Sequence, residues 1–447
     1  MAIRRTPLES WFLKKAADAG GAEPLTRTLI ESYQLQKLKE TLALARAASP
    51  FYRRHLENFP AEQLRSLKDL QAFPFTTAGD ISKNPLLFLC VSQDQINRVV
   101  TINSSGTTGR PKRVFFTGGD QELIRDFFRY GMSTLVEPGD TVLVLLPGGR
   151  PGSVGALLAE ALERSQVRCI LHGFVRDPRE TLQIMAGQKV DSLVGVPTQV
   201  LALARYEAPG KKSFPVRLKN MLLTTDHVPR AIVNEIERTW YCRVYNHYGM
   251  TEMGLGGGVE CEARDGCHLR EADLYFEIVD PATGEAVPEG EEGEVVFTTL
   301  TRQGMPLIRY RTGDIARFVP GTCSCGSLLK RIAPVRDRIG GRVPLAGGGF
   351  ISMSVLDEAL FAVKGVIDFQ AAVSSAGGAD LLTVKVQAAV WAGEEVNDLV
   401  REALLSVPVI AGNIAKGALI LGPVDVERSR KIRAPAKRII QDLRGKE

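Results

Sequence analysis

Three short segments hold residue types and spacings from which chemistry can be built. The first, Asn103-Ser104-Ser105-Gly106-Thr107-Thr108-Gly109-Arg110-Pro111-Lys112, has the composition of an anion-binding turn. Its glycines let backbone N–H groups approach phosphate oxygens, its hydroxyls add donors, and Arg110 and Lys112 add positive charge. The Gly-Lys-Ser/Thr ending of a Walker loop is absent, which argues against a P-loop nucleoside triphosphatase. Taken alone, an ordinary polar turn has the same composition. The second, Tyr245-Asn246-His247-Tyr248-Gly249-Met250-Thr251-Glu252, follows an apolar strand and ends in a carboxylate suited to hold Mg²⁺ together with phosphate oxygens. An aromatic strand end with a solvated glutamate is the plainer alternative. The third, Arg309-Tyr310-Arg311-Thr312-Gly313-Asp314, sets an acid just past a tight turn, where it can accept hydrogen bonds from two ribose hydroxyls. A turn capped by an Arg/Asp pair would read the same way.

A fourth constellation has metal-ligand character. Cys261 and His268 lie a short turn apart, and Cys323-Ser324-Cys325-Gly326 follows downstream. Three thiolates and one imidazole match a closed tetrahedral zinc site of structural role, stapling strands too short to hold themselves. Cys267, beside His268, is an alternative ligand for either position, and free cysteines in turns remain the other reading. The cysteine count of seven is odd. That pattern suits metal or free thiols in a reducing compartment better than a disulfide framework.

The elements that must position these groups read as a large α/β protein. A length of 447 residues favours a large domain plus a smaller one, and 44% hydrophobic with 24% charged residues fits an ordinary globular enzyme. A net charge of +5 over that length gives no nucleic-acid groove, and no apolar run is long enough to span a bilayer. A cytoplasmic location is the default expectation. Leu35, Leu38, Leu42 and Ala45 recur at helical spacing up to Ser49-Pro50, which predicts an amphipathic helix opening the fold. From about Val100, short apolar runs (Thr141 to Leu146, Ser192 to Val196, Met221 to Leu223) alternate with helical stretches, predicting a largely parallel sheet. Leu274 to Leu300 reads as antiparallel strands joined by Pro/Gly turns, a β-rich subdomain. After Arg338 the glycine-dense stretch Gly340-Gly341-Arg342 and Gly347-Gly348-Gly349 precedes a helix, strand, strand, helix order from Val355. The expected domains are therefore a multi-subdomain N-terminal α/β domain, 1–338, and a small α+β C-terminal domain, 339–447.

The three segments in this order resemble the adenylate-forming superfamily of acyl-CoA synthetases, adenylation domains and luciferases, and more closely its phenylacetate-CoA ligase branch. The closer likeness runs from Ser49-Pro50-Phe51-Tyr52-Arg53 and Phe73-Pro74-Phe75-Thr76-Thr77 through Glu260-Cys261 to Met305-Pro306-Leu307-Ile308-Arg309-Tyr310. The resemblance implies that Ser104, Ser105, Gly106, Thr107, Thr108 and Gly109 wrap the β- and γ-phosphates of ATP, with Thr107 and Glu252 near Mg²⁺. Asn246, His247 and Tyr248 would flank the adenine, and Gly249, Met250 and Thr251 would continue the same nucleotide-binding segment. Asp314 would grip the ribose, and Arg338 would reach the ribose or phosphate. Thr224-Thr225-Asp226 stands where the family has a Gly-Glu-Pro-like turn, which places Thr225 and Asp226 against the adenine. Some phenylacetate-CoA ligase-like proteins similarly carry a Glu-Cys, a downstream His and a Cys-x-Cys-Gly, in keeping with the zinc reading.

The implied activity is ATP-dependent, AMP-forming ligation of a small aryl or short-chain carboxylic acid to CoA through an acyl-adenylate, with a mobile C-terminal domain and with a homodimer as an allowed assembly. The implied partners are small molecules: the acid, ATP and CoA. Transfer to a carrier-protein thiol or an amine, or a nucleotide-binding regulatory protein with weakened catalysis, are the competing readings. The turn Pro147 to Gly152, with Val196-Pro197-Thr198 and Gly254 to Gly258, would wall the acyl pocket. Two departures stand out. The hinge reads Ile339-Gly340-Gly341, without the acid or lysine that usually follows the Gly-Arg pair. Relatives end near Gly-Lys-Ala-Lys-Arg, whereas this chain has Ala434-Pro435-Ala436-Lys437-Arg438, so the lysine that serves adenylation falls to Lys437 or, in Ser429-Arg430-Lys431-Ile432, to Lys431.

Overall fold

The computed structural model describes residues 3–18, 25–102, 111–211, 213–433 and 437–445. The expected phosphate loop, Ser104, Ser105, Gly106, Thr107, Thr108 and Gly109, lies outside the described residues, as do Arg110 and Pro435. By internal packing the chain divides into two units, one of Met1–Gly139, Gly148–Arg168 and Tyr245–Val335, the other of Asp140–Pro147, Cys169–Val244 and Arg336–Glu447.

In the first unit the helix foreseen around Leu38 spans Arg27–Ala48, with Leu38, Leu42 and Ala45 fully buried. Thr26 caps its start by accepting from the Leu29 N–H, and it stops where Ser49 turns extended ahead of Pro50, because the residue before proline is pushed out of the helical region. It is not the first helix. Pro7–Asp18 precedes it and buries Trp11 and Phe12, with Trp11 stacked 5.9 Å from Tyr130. A hairpin pairs Ile96–Ile102 with Lys112–Thr117, so Lys112 stands at the strand end that follows the phosphate-loop sequence. Leu274–Val279, Gly293–Thr299 and Tyr310–Ala316 form the antiparallel β-rich layer that the Pro/Gly turns foretold.

That layer is fastened by a buried ion pair that the sequence did not disclose. Arg309 is 1% exposed, and its Nε and Nη2 donate to the Glu277 carboxylate at 3.1 and 2.9 Å. Its Nη1 donates to the carbonyls of Gln71 and Phe73 at 2.7 and 2.6 Å, and the guanidinium lies 4.0 Å over the Phe75 ring. Of the two arginines of the third motif, Arg309 thus pairs with Glu277 and Arg311 with Glu294, neither with Asp314. Arg309→Met would strand the Glu277 carboxylate in the core, so urea melts should show a loss of about 3–5 kcal/mol.

In the second unit, Thr141–Val144, Ser192–Gly195 and Asn220–Leu223 run parallel, in register Val142↔Ser192 and Leu193↔Met221. Their apolar runs are continuous rather than alternating because helices such as Pro197–Ala204 and Arg230–Trp240 cover them. From Arg336 the same unit continues with helix Met353–Leu360, then the antiparallel pair Val366–Ala376 and Ala379–Ala388. Helices Val396–Leu405 and Pro408–Ala415 follow, and strands Leu419–Arg428 and Ile440–Asp442 complete a four-stranded sheet. Ile339–Gly341, where the hinge was expected, is a single 3₁₀ turn.

Candidate active site

The strand Arg243–Tyr248 brings Asn246, His247 and Tyr248 to the first unit's antiparallel patch, with His247 opposite Val259 and Tyr248 opposite Gly258. The chain then turns through Gly249 and Met250 into a 3₁₀ turn, Thr251–Met253, closed by Gly254 at φ +77°. Gly256 is needed for close approach: a Cβ there would meet Phe127 ring carbons at 2.2 and 2.6 Å. Phe127 in turn lies 5.9 Å from the His247 ring. Burial, with Arg270 nearby, lowers His247 to about 4, so its imidazole is neutral at pH 7.

The turn delivers Glu252 into a buried spot, 2% exposed. Its carboxylate forms an ion pair with the Lys112 ammonium and accepts from the Tyr310 hydroxyl at 3.2 Å, while Lys112 Nζ also donates to that hydroxyl at 3.0 Å. One lysine, one phenol and one carboxylate therefore share a closed network, and the second and third sequence motifs meet there. Asp314, 6% exposed, stands on the strand Tyr310–Ala316 just after Gly313, whose φ of +75° falls inside the strand where its pairing with Gly293–Thr299 shifts register, so the tight turn expected there is a bulge. Tyr248 donates its hydroxyl to Asp314 Oδ2 at 3.0 Å. The predicted adenine-side tyrosine and ribose-side acid are thus adjacent.

Other predicted residues fall in the second unit. Thr225 sits in the turn after Asn220–Leu223 at φ +74°, a strained conformation for a β-branched residue. Asp226 beside it accepts from the His227 N–H at 2.8 Å. Arg338 ends a two-residue strand and is exposed. Lys431 and Lys437 are both exposed at the side chain, and the Lys431 carbonyl accepts from Gln387 Nε2. The acyl-pocket walls named from sequence are split between the units, with 148–152 and 254–258 in the first and Pro147 and 196–198 in the second.

Next to Lys437, Arg438 is the cation of a buried acidic group. It donates to Asp357 Oδ1 at 2.6 Å, its Nε is 3.5 Å from Asp368 Oδ1, and it lies 4.9 and 4.6 Å over the rings of Phe361 and Phe369. Asp226 feels the same arginine. Burial raises all three carboxyls against that pull, Asp357 to about 7. The native state therefore keeps protons that the unfolded chain has already released, so the stability of this unit falls as pH rises from the ordinary aspartate range to about 7 and levels off above it. Thermal melts between pH 5 and 9 should show this decline, and Asp357→Asn should flatten it and raise the Tm at pH 8.

The cysteine and histidine prediction resolves into one cluster. The ligand atoms of Cys261, His268, Cys323 and Cys325 all lie within 4.8 Å of one another, and all four residues are buried. Cys261 Sγ is 3.6 Å from Cys323 Sγ, and Cys325 Sγ is 3.4 Å from His268 Nε2. The other ring nitrogen of His268 is 3.3 Å from the Leu329 carbonyl, which aims Nε2 inward. Burial pushes the Cys261 thiol up, whereas at Cys325 burial, the largest single influence, is outweighed by the His268 bond together with hydrogen bonds to the Ser327 and Thr6 backbone, which hold the thiol below its ordinary value. Cys267 is not in the cluster: its thiol points to the Asn246 carbonyl at 3.5 Å. Strand alternation separates it from His268, since adjacent residues face opposite sides.

The sequence profile described as AMP-binding enzyme matches residues 42–301. Phenylacetate-coenzyme A ligase of Aromatoleum evansii is 30% identical over 389 residues, covering 83% of this chain and 86% of that protein. The chain belongs to the AMP-binding enzyme family. Within it the likeness is to the phenylacetate-CoA ligase branch, since the same-named ligase of Escherichia coli strain K12 is 31% identical over 379 residues, covering 80% of this chain and 82% of its own length. In fold, this AMP-binding enzyme resembles a 2-hydroxyisobutyryl-CoA ligase solved in the postadenylation state, at a TM-score of 0.75 and 23% identity over 92% of this chain and 89% of that one.

Two participants escaped the sequence reading. Lys112 was read only as charge for the phosphate turn, and Tyr310 only as part of a motif, although together they close on Glu252. Nothing local to either residue signals this, because the pairing joins positions 198 residues apart.

Proposed function

We propose that this chain is an ATP-dependent, AMP-forming acid:CoA ligase that activates a small aryl or short-chain carboxylic acid through an acyl-adenylate. The observation that carries the reading is the meeting of the second and third motifs, with Tyr248 on Asp314 and Tyr310 on Glu252. An aryl acid is favoured by the phenylacetate-CoA ligase name of the relatives at 30% identity, and their name also supports CoA as acceptor.

In the proposed reaction Asp314 accepts hydrogen bonds from the ribose hydroxyls and Tyr248 keeps its carboxylate oriented. The Asn246 to Thr251 segment lines the adenine, with Thr225 and Asp226 as a further wall, and Arg338 meets the ribose or phosphate. Ser104 to Gly109 cradle the β- and γ-phosphates. Glu252, with Thr107, would hold Mg²⁺, which when bound neutralises phosphate charge. A carboxylate oxygen of the acid attacks the α-phosphorus, the P–O bond to pyrophosphate breaks, and the protein contributes positioning and charge rather than a nucleophile. Lys437 is the candidate for charge at the attacking carboxylate, in preference to Lys431, because the adjacent Arg438 is fixed on Asp357. The CoA thiolate then attacks the acyl carbon and AMP leaves. Residues 339–447 form the lid domain that turns between the two half-reactions.

A structural zinc ion fits the four-residue cluster. Tetrahedral bonds of about 2.3 Å to sulfur put neighbouring sulfurs about 3.8 Å apart, close to the 3.6 Å found between Cys261 and Cys323. Its role is to fasten strands, since all four ligands come from the protein and the site is closed.

The test is hydroxylamine trapping with ATP and Mg²⁺ across aryl, short-chain and branched acids. Trapped hydroxamate with an aryl acid supports the reading. Absence of pyrophosphate exchange with every acid in the panel rejects it.

A further inference from the structure

The strand pair that carries the metal-ligand cluster also grips the nucleotide strand from its other face. In the antiparallel pair Gly258–Glu260 and Cys267–Leu269, Glu260 is directly opposite Cys267, and Val259 is opposite His268. Side chains alternate along each strand, so Glu260 and Cys267 share one face while Val259 and His268, and Cys261 two residues on, share the other. The second face supplies Cys261 and His268 to the cluster. The first face meets Asn246. The Asn246 N–H donates to Glu260 Oε2 at 2.8 Å, and the Asn246 carbonyl accepts from Cys267 Sγ at 3.5 Å. Each gripping residue immediately precedes a cluster ligand in sequence, Glu260 before Cys261 and Cys267 before His268.

This placement has a mechanical consequence. The Arg243–Tyr248 strand is matched to Gly258–Glu260 only through His247 and Tyr248. At Asn246 two side chains take the place of ladder partners, and both are buried, Glu260 at 7% and Cys267 at 1% exposure. A strand pair of three residues each has few hydrogen bonds of its own with which to hold those side chains in place. What fixes its far face is the four-ligand cluster, which ties it to Cys323 and Cys325 from a distant loop.

We propose that Glu260 and Cys267 are positioning residues that transmit the order of the Cys261/His268/Cys323/Cys325 cluster to the Asn246 backbone, so that nucleotide affinity depends on the integrity of the cluster. The inference rests on the reading that Asn246 to Tyr248 flank the adenine. Neither residue touches substrate; both act through the register of the strand that does.

The experiment uses the full chain with Glu260→Met, Glu260→Gln and Cys267→Ala, reading AMP affinity by calorimetry, zinc content by elemental analysis and protection of the Asn246 amide by hydrogen exchange. Glu260→Met should weaken AMP binding about tenfold, as expected when the buried Asn246 N–H is left without its acceptor. It should also raise the KM for ATP with little change in kcat, and keep its zinc. Glu260→Gln retains an acceptor oxygen and should stay within about threefold of the wild type. Chelation should weaken AMP binding and expose the Asn246 amide in the wild type, yet add little in Glu260→Met, because coupled perturbations are not additive. Unchanged AMP affinity in Glu260→Met, or equal effects of chelation in both proteins, would overturn the proposal. If Glu260→Met does not fold, Cys267→Ala carries the same comparison. If the wild type binds no AMP, the nucleotide reading fails by itself, and Asn246 protection in the chelated wild type still decides the coupling: lost on chelation it stands, retained it falls.

Discussion

Replacing Glu252 by glutamine is expected to lower ATP–pyrophosphate exchange by about a hundredfold or more, the usual scale for removing one preorganised charge from a phosphoryl-transfer site. The side chain keeps its size and an acceptor oxygen, so the Tyr310 hydroxyl still has a partner. Only the negative charge is removed. Lys112 is then left beside a neutral amide in a spot where its own side chain is 15% exposed, and the candidate Mg²⁺ ligand is lost at the same stroke. AMP carries no β- or γ-phosphate and makes the least demand on that charge. Its affinity, measured by calorimetry, should change by less than about threefold while exchange collapses. Lys112→Met separates the two contributions. It removes the ion pair but leaves Glu252 charged, so it should weaken both fold stability and ATP binding without reproducing the selective loss of turnover. Exchange within about threefold of the wild type in Glu252→Gln would exclude Glu252 from the chemistry.

How far such a site could be read from sequence depended on how local each signal was. The backbone irregularity before Asp314 was legible because Gly313 advertises a positive φ, and the structure has it at +75°, although as a bulge within the strand Tyr310–Ala316 and not as the expected turn. The parallel strands were legible because burial on both faces leaves unbroken apolar runs at Leu143 and Leu193. Ser49-Pro50 ended a helix for a reason contained in two residues. Most of the misses were relations between distant residues. The third motif was weighed against a turn capped by an Arg/Asp pair, but the carboxylate that Arg309 holds is Glu277, brought near only when three strands assemble. Lys112 and Glu252 stand on different elements, and composition carries no trace of their contact. The Cys267 ambiguity was of the opposite kind. Two adjacent candidate ligands cannot be separated by spacing, yet once the segment is known to be a strand, alternation sends one to the cluster and the other to Asn246. The helix Pro7–Asp18 was missed because its apolar face is short and its value lies in what it packs on, Trp11 against Phe127 and Tyr130.

Cys261→Ser and Cys323→Ser are each expected to abolish zinc retention and to cost a large part of the first unit's stability. Structural zinc in small modules contributes on the order of 10–16 kcal/mol of apparent binding free energy, against a total stability of about 5–15 kcal/mol for a typical domain. The cluster here is embedded in a larger core than a zinc finger has, so part of the fold is held by other means. The elements it joins are short nonetheless: Gly258–Glu260 and Cys267–Leu269 have three residues each and Arg331–Ile332 two. Cys323 and Cys325 belong to no strand at all. With one thiolate gone, this patch has little besides its own few ladder bonds, and calorimetric melts should show the transition lowered by well over 5 °C or split in two. Cys267→Ala supplies the contrast that makes the result specific. It removes a buried thiol of equal size from the strand that carries the ligand His268, but not a ligand, so elemental analysis should still find about one zinc per chain. Equal zinc loss in Cys267→Ala would mean that the cluster is fixed by general packing rather than by its four side chains. Zinc retained in Cys261→Ser would remove that residue from the ligand set altogether.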